Sequence, residues 1–470
     1  MDEVLAFAAA HGVEALLFVV AALVPIVGVG LVVSRPAPII LAYIGILLCF
    51  SQTTYGALEI DNTIYSRGTG QLFFSLLAWA LIGLAAVSPF LALWSSKRPV
   101  PTNLAIPFLM LVLLFVGNLI FVPLDVRISE VMSSDGFINL IFLSLLVFVM
   151  TRALNERTDL DWLEWLLLGV GAMRAIYGLV RWAALGGDPS NVYENVEHLG
   201  VKITYFDICD SMIASVVLLY CLRRLFSNWR AIHGVERFLL ATLAAMEFAV
   251  IALSYRRTAW GGLALVLAFF AFLLPGRQRI AAMVTAPFLG LLIMVVAQAR
   301  LGQVAHGQGF IGQLFFDLYS QHDYGKESPR TVELKAAFET FLDNPVFGTG
   351  AWGRYRGSGH IGWQTGPNAY AFLHSGVLHI LLKTGLVGFA IVTSALLLFI
   401  RFVIRERKTL SERDRWLVDA ALAGLIFMIP DFMLGAPIPQ FRTMLLYGVM
   451  MAIPYVVVAT ARREPPLSTQ

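Results

Sequence analysis

Thirteen apolar stretches follow one another along the chain, near 13–33, 37–52, 72–95, 104–123, 136–151, 162–184, 208–224, 237–254, 259–275, 280–299, 374–401, 416–434 and 442–460. A bilayer core about 30 Å thick takes roughly 20 apolar residues to cross as a helix. Most of the stretches approach that length. Those at 37–52 and 136–151 are short, so the expected count is twelve to thirteen. One soluble core cannot hold this much apolar surface: 58% of the residues are hydrophobic and 14% charged, where soluble domains carry about a quarter charged. The expectation is an all-α polytopic membrane protein. Residues 1–464 form a single transmembrane domain and 465–470 a disordered tail.

Several classes fall away on the same residues. The net charge is +3, and no basic stripe with interleaved aromatics is present, so nucleic acid is not an expected partner. Cys49, Cys209 and Cys221 have no close cysteine neighbours, which argues against a disulfide framework or a zinc knuckle. The opening MDEVLAFAAAHG has no Lys or Arg and lacks the basic segment of a cleavable signal peptide.

Lys and Arg mark alternate connections: Arg35; Lys97 and Arg98; Arg152 and Arg157; Arg223, Arg224, Arg230 and Arg237; Arg277 and Arg279; the dense run Arg401 to Arg415; and Arg462 and Arg463. Short loops rich in these residues stay in the cytoplasm. With thirteen helices they share that side, and the long hydrophilic interval 300–373 lies outside. The outer connections are otherwise poor in positive charge. Two exceptions therefore stand out: the tight turn Ser254-Tyr255-Arg256-Arg257-Thr258, and the long interval with Lys326, Arg330, Lys335, Arg354 and Arg356. Cations where topology disfavours them point to an anionic ligand.

Ser328-Pro329 has the chemistry of a helix start, with serine as cap and proline in the first turn. The following TVELKAAFETFL places Val332, Ala336 and Phe338 near one face of an amphipathic external helix, which Asp343-Asn344-Pro345 ends. Arg330 then lies at the positive end of the helix dipole, where a cation is disfavoured unless an anion is bound. A solvated surface arginine is the alternative. Phe347-Gly348-Thr349-Gly350 follows no strand, so it reads as a turn that brings backbone close to the bundle rather than as a phosphate loop.

His374-Ser375 opens the next helix. At the outer membrane boundary, His374 is either an interfacial anchor or a general base. His379 is five residues on and faces elsewhere, which removes a two-histidine metal site. His306, His322 and His360 have no supporting carboxylate spacing, so neither a metal nor another cofactor is expected. Gly385 and Gly388 read as a close helix–helix contact. Arg174 and Glu247 fall inside spans, where ionisable groups face the bundle interior and pair. Asp207 and Asp210 are placed to partner arginines, as a structural ion pair or as further substrate contacts.

These motifs resemble the bacterial O-antigen ligase and O-antigen polymerase family, which includes exopolysaccharide polymerases. His374-Ser375, nine residues, then Gly385-Leu386-Val387-Gly388 fits the family pattern H-[NSQ]-x9-G-x-x-G. Arg330 to Leu334 fits its R-x3-L, and Asn344 to Gly350 its NP-x-x-G-x-G. Ser254 to Ala259 resembles its arginine turn, with Arg257 the preferred match and Arg256 the rival. The likeness is best from Ser254 to Gly388. It implies a C-type membrane glycosyltransferase (GT-C-like) fold with a long periplasmic loop containing short helices. It also implies an inverting, metal-independent enzyme of the inner membrane. The donor would be an oligosaccharide on undecaprenyl pyrophosphate. The acceptor would be a glycan, making the enzyme a polymerase, or a lipid A core, making it a ligase; the polymerase is read first. His374 is the expected base. Arg257, Arg330 and Arg256 are the pyrophosphate ligands, with Arg354, Arg356, Arg174 and Asp210 as further contacts. The competing class is a transporter or flippase for lipid-linked oligosaccharides, which needs intramembrane charge but no base.

Overall fold

The computed structural model describes residues 36–51, 65, 74–94, 102–120, 137–191, 201–227, 232–280, 329–356 and 373–463, with isolated residues between 282 and 290. The expected span at 13–33, the tail at 465–470 and most of the span at 280–299 lie outside them, as do Lys326, His306, His322 and His360. The described chain forms α1 (Pro36–Cys49), α2 (Leu76–Trp94), α3 (Thr102–Ile120), α4 (Ile138–Ala153), α5 (Arg157–Ala184), α6 (Ile208–Ser227) and α7 (Gly234–Ala252). It continues with α8 (Arg257–Leu273), α9 (Pro329–Asp343), α10 (Gly376–Glu406), α11 (Glu412–Phe427), α12 (Ile429–Leu434) and α13 (Phe441–Ala461). Every expected span on described residues is a helix, and no strand occurs among them. Among the described residues five helical stretches are long and apolar enough to cross a membrane. The protein is an all-α, multi-pass membrane protein.

α6 and α13 are the most enclosed elements. α6 packs between α7 and α11, and α13 packs against α4 and α11. At one end of the bundle the arginines of the short connections meet carboxylates. Arg157 lies 2.5 Å from Asp414, Arg413 lies 2.8 Å from Asp161, and Arg223 and Arg407 share Asp419 at 2.9 and 2.6 Å. Charges read from the sequence as lying on one side thus form one ion-paired layer. The other end carries the starts of α6, α8, α10 and α13.

α1 is short. Its 14 residues span about 21 Å, less than the hydrocarbon core. The carbonyls that its end leaves without helical partners are taken by two arginines. Arg442 of α13 donates through Nε to Leu47 O at 2.9 Å and through Nη2 to Leu48 O at 3.4 Å, and Arg174 of α5 donates to Cys49 O. The start of α6 neutralises both cations. Arg442 lies 2.7 Å from Asp207 and 2.8 Å from Asp210, and Arg174 lies 2.7 Å from Asp210. Ser51 completes the group by donating to Asp210 at 2.7 Å.

α9 is less external than its sequence suggests. After Asp343 the chain enters the bundle and binds α10 through backbone. Thr349 N donates to Leu382 O at 2.7 Å, Gly350 N to Lys383 O at 3.1 Å, Leu386 N to Pro345 O at 2.8 Å and Val387 N to Val346 O at 3.1 Å. These α10 residues lie roughly 9–17 Å along the helix axis from Gly376. α10 is broken at Gly385, where φ is +62°, and the groups freed by the break are those that the incoming segment satisfies. Gly385 therefore meets this segment rather than another helix, which corrects the sequence reading. At Gly388 a Cβ would first meet Thr384 of the same helix, at 2.0 Å, and then Leu114 of α3 at 3.2 Å, so the helix–helix contact is only part of what confines it. The face of α9 also differs from the expected one. Glu333, Ala337, Thr340 and Phe341 are buried, while Phe338 is exposed.

Gly385→Ala should destabilise the protein. A φ of +62° with ψ −163° lies in a region essentially confined to glycine and costs another residue about 1–3 kcal/mol. The new Cβ would also lie 2.3 Å from Val346 O and 2.5 Å from Gly348 N. A clearly lower thermal midpoint in detergent is expected. An unchanged midpoint would contradict the docked arrangement.

Candidate functional site

The turn between α7 and α8 holds a strained residue. Tyr255 has φ +56°, and among the described residues no other non-glycine has positive φ. Such strain persists only where surrounding packing fixes it, and it clusters at functional sites. Here the Tyr255 ring is buried with Val201, Ile203 and Trp260. The Trp260 indole donates to Ala252 O at 3.0 Å and closes the turn. Arg256, the N-cap residue of α8, then turns back toward the bundle. Its guanidinium donates to Phe206 O and lies 3.6 Å from Asp431 Oδ1. Phe206 immediately precedes Asp207, so this contact adjoins the network that caps α1. Arg257 is half-buried in the first turn of α8.

His374 precedes Ser375, the N-cap of α10, whose hydroxyl accepts from Leu378 N at 3.3 Å. The imidazole Nδ1 lies 2.8 Å from Glu333 Oε2 on α9. That carboxylate is fully buried. Its Oε2 also accepts from the His374 backbone N at 3.3 Å, and its Oε1 accepts from the Tyr355 hydroxyl at 3.3 Å. Arg330 is exposed in the first turn of α9, one turn from Glu333.

Asp431 on α12 links these groups. It is buried, Arg256 lies 3.6 Å from it, and Asp207, His374 and Arg330 are within electrostatic reach. Its Oδ2 has no hydrogen-bond partner among the described residues. One region at the end of the bundle opposite the arginine-rich layer therefore holds two arginines, a carboxylate and a histidine–glutamate pair. The starts of α6, α8, α9, α10 and α13 are here too, and helix N-termini favour anions.

Of the residues singled out in the sequence, His374, Arg256 and Arg330 converge on Asp431. Arg174 and Asp210 are taken up by the network at the end of α1. Arg354 and Arg356 are exposed, and Arg356 pairs with Asp343 at 2.6 Å. Glu247 is buried, as its position in a span predicts, but its Oε1 lacks a hydrogen-bond partner among the described residues, so the expected pairing is not seen there. Among the described residues no group of three or more His, Cys, Asp or Glu is placed to hold a metal ion.

Three residues of this region escaped the sequence reading: Glu333, Asp431 and Arg442. The signal for Glu333 was present, as a carboxylate three residues after Arg330 on a helix with an apolar face. Asp431 and Arg442 lie at the outer ends of apolar runs, where one charged residue has no distinguishing neighbour.

Residues 240–393 match the family model described as O-Antigen ligase. This segment, about a third of the chain, is similar to the O-antigen ligase family. No curated protein matches the chain. The ligase-family segment holds the Arg256 turn, α9, the docked segment after it and His374 through Gly388; Asp431 and Arg442 lie beyond it. A match to the O-antigen ligase model in a multi-pass membrane protein points to glycan transfer at a membrane.

Proposed function

We propose that the protein transfers a glycan from undecaprenyl pyrophosphate to a sugar hydroxyl at the periplasmic face of the bacterial inner membrane. The acceptor is another repeat unit in a polymerase or a lipid A core in an O-antigen ligase. The convergence of His374, Arg256 and Arg330 around Asp431, opposite the arginine-rich layer, is the observation that carries this reading.

The acceptor oxygen attacks the anomeric carbon as the bond from that carbon to the pyrophosphate oxygen breaks. Attack from the opposite side inverts the centre. His374 takes the hydroxyl proton, and undecaprenyl pyrophosphate leaves with the bonding pair. Charge developing on the leaving group is met by Arg256, Arg330 and the first-turn N–H groups of α9, the preorganised donors such a step requires. In this reading guanidinium groups supply the positive charge, with no metal in the step. The 3.6 Å contact of Arg256 with Asp431 is long for an ion pair. A pyrophosphate competes for that arginine with a higher charge and a geometry suited to paired guanidinium hydrogen bonds.

Purified protein given lipid-linked repeat units alone should extend chains if it is a polymerase, and should require added lipid A core if it is a ligase. Absence of transfer in both assays, with transport of the lipid-linked donor instead, would sink the transferase reading. His374→Ala should retain donor binding and lose about 10²–10⁴-fold in rate. Wild-type turnover in His374→Gln would leave His374 as an interfacial anchor only.

Arg256→Ala, Arg257→Ala and Arg330→Ala separate the arginines. Loss of transfer is expected for Arg330, and for Arg256 on the strength of its contact with Asp431. Lysine should restore only part of the activity, because an ammonium does not reproduce paired guanidinium contacts. Full activity in Arg256→Ala with loss in Arg257→Ala would transfer the assignment to the neighbour.

Orientation is tested with single cysteines at Glu339 and Lys408 in a background without the native three. In intact cells an impermeant thiol reagent should label position 339 and not 408. The reverse pattern would place this end of the bundle in the cytoplasm.

A further inference from the structure

Glu333 is a residue that packing alone would not select. On α9 it shares the buried face with Ala337 and Phe341, four and eight residues on. That face packs against α10, beside Leu373, Leu378, Leu382 and Tyr355. An apolar side chain would fill such a position. A buried carboxylate there is unfavourable unless it is hydrogen-bonded. Its partners account for its presence: Oε2 lies 2.8 Å from His374 Nδ1 and accepts from His374 N at 3.3 Å, and Oε1 accepts from Tyr355 at 3.3 Å.

We infer that Glu333 is the positioning residue for His374. Its carboxylate holds the imidazole proton on Nδ1 and leaves Nε2 as the atom that accepts the proton of the acceptor hydroxyl. This rests on the reading of His374 as the base.

An ionised carboxylate only accepts hydrogen bonds, so the contact at 2.8 Å requires the proton on Nδ1. The second contact, to the backbone N of the same residue, fixes the ring relative to the start of α10. The His374 side chain is 20% exposed whereas Glu333 is fully buried. With Nδ1 turned inward, the Nε2 edge is the one that meets substrate. When the hydroxyl proton moves to Nε2, the resulting imidazolium is stabilised by the adjacent carboxylate, which itself gains no proton. The acceptor oxygen simultaneously bonds the anomeric carbon, and the bond to the leaving pyrophosphate breaks.

α9 adds a geometric consequence. Arg330 and Glu333 are three residues apart, so their Cβ atoms lie about 5–6 Å from each other on neighbouring positions of one turn. The cation for the leaving group and the carboxylate that orients the base are thus fixed on one helix. The docking of the Asn344–Gly350 segment into the break of α10 holds that helix against the histidine.

The test uses full-length protein in lipid nanodiscs with nitrogen-15-labelled histidine, at alkaline pH where imidazole is neutral. The His374 resonance is assigned as the one lost in His374→Gln. The wild type should show the Nδ1-protonated tautomer, and Glu333→Gln should lose that preference. Transfer kinetics give the second readout. Glu333→Gln should lower kcat by at least about tenfold, and by no more than the 10²–10⁴-fold expected for removal of the base. KM for the lipid-linked donor should change by less than about twofold, the mark of an interaction made only in the transition state. Glu333→Asp should recover part of the loss. A wild-type Nε2-protonated tautomer overturns the inference, and that measurement stands even if the Glu333 variants do not fold. Wild-type kcat in Glu333→Gln, with His374→Ala inactive, overturns it while leaving His374 as the base. Wild-type transfer in His374→Ala overturns both.

Discussion

The end of a buried helix leaves carbonyl groups that need partners, and this constraint shapes the functional end of the bundle. The last carbonyls of α1 are met by Arg442 and Arg174. Two buried cations then require Asp207 and Asp210 at the start of α6, where the helix dipole also favours acidic groups. The four side chains bind α1, α5, α6 and α13 into one unit. Removing one member of such a network leaves its partner as an unpaired buried charge, which is far more destabilising than replacing the whole set with apolar residues.

α10 obeys the same rule in another way. Its backbone is broken at Gly385, and irregular backbone at membrane depth persists only where protein satisfies it. The segment after α9 supplies the missing partners through its own main chain. Two glycines permit the approach, since a Cβ on Gly348 would lie 2.6 Å from Gly385 N. This junction anchors the foot of α9 in the bundle while its head carries Arg330 and Glu333 beside His374. The two structural devices therefore bracket the candidate site. One fixes Asp207 next to Phe206, whose carbonyl holds Arg256, and the other fixes α9 against the base.

Much of this was legible before any coordinates. Apolar length gave the helices, and the alternation of Lys and Arg gave the layer in which Arg157, Arg223, Arg407 and Arg413 meet their carboxylates. Asp343-Asn344-Pro345 marked the end of α9 correctly, because turn and proline chemistry act over a few neighbouring residues; Ser328 lies outside the described residues. Periodicity misjudged the buried face of that helix. It favoured Phe338 as an interior residue, but Phe338 is exposed and the interior position goes to a glutamate that has partners.

Sequence alone determined the class of protein and marked His374, Arg330 and the Arg256–Arg257 pair as candidates. Each of these follows from local composition or short spacing. Only tertiary structure decided that Arg174 and Asp210 serve the end of α1, that Arg256 reaches Asp431, and that Glu333 meets His374 from 41 residues away. Pairing between buried charges depends on which helices lie side by side. That arrangement is set by packing and by the need to satisfy every polar group in a medium without water, and it leaves no mark in the spacing of residues along the chain.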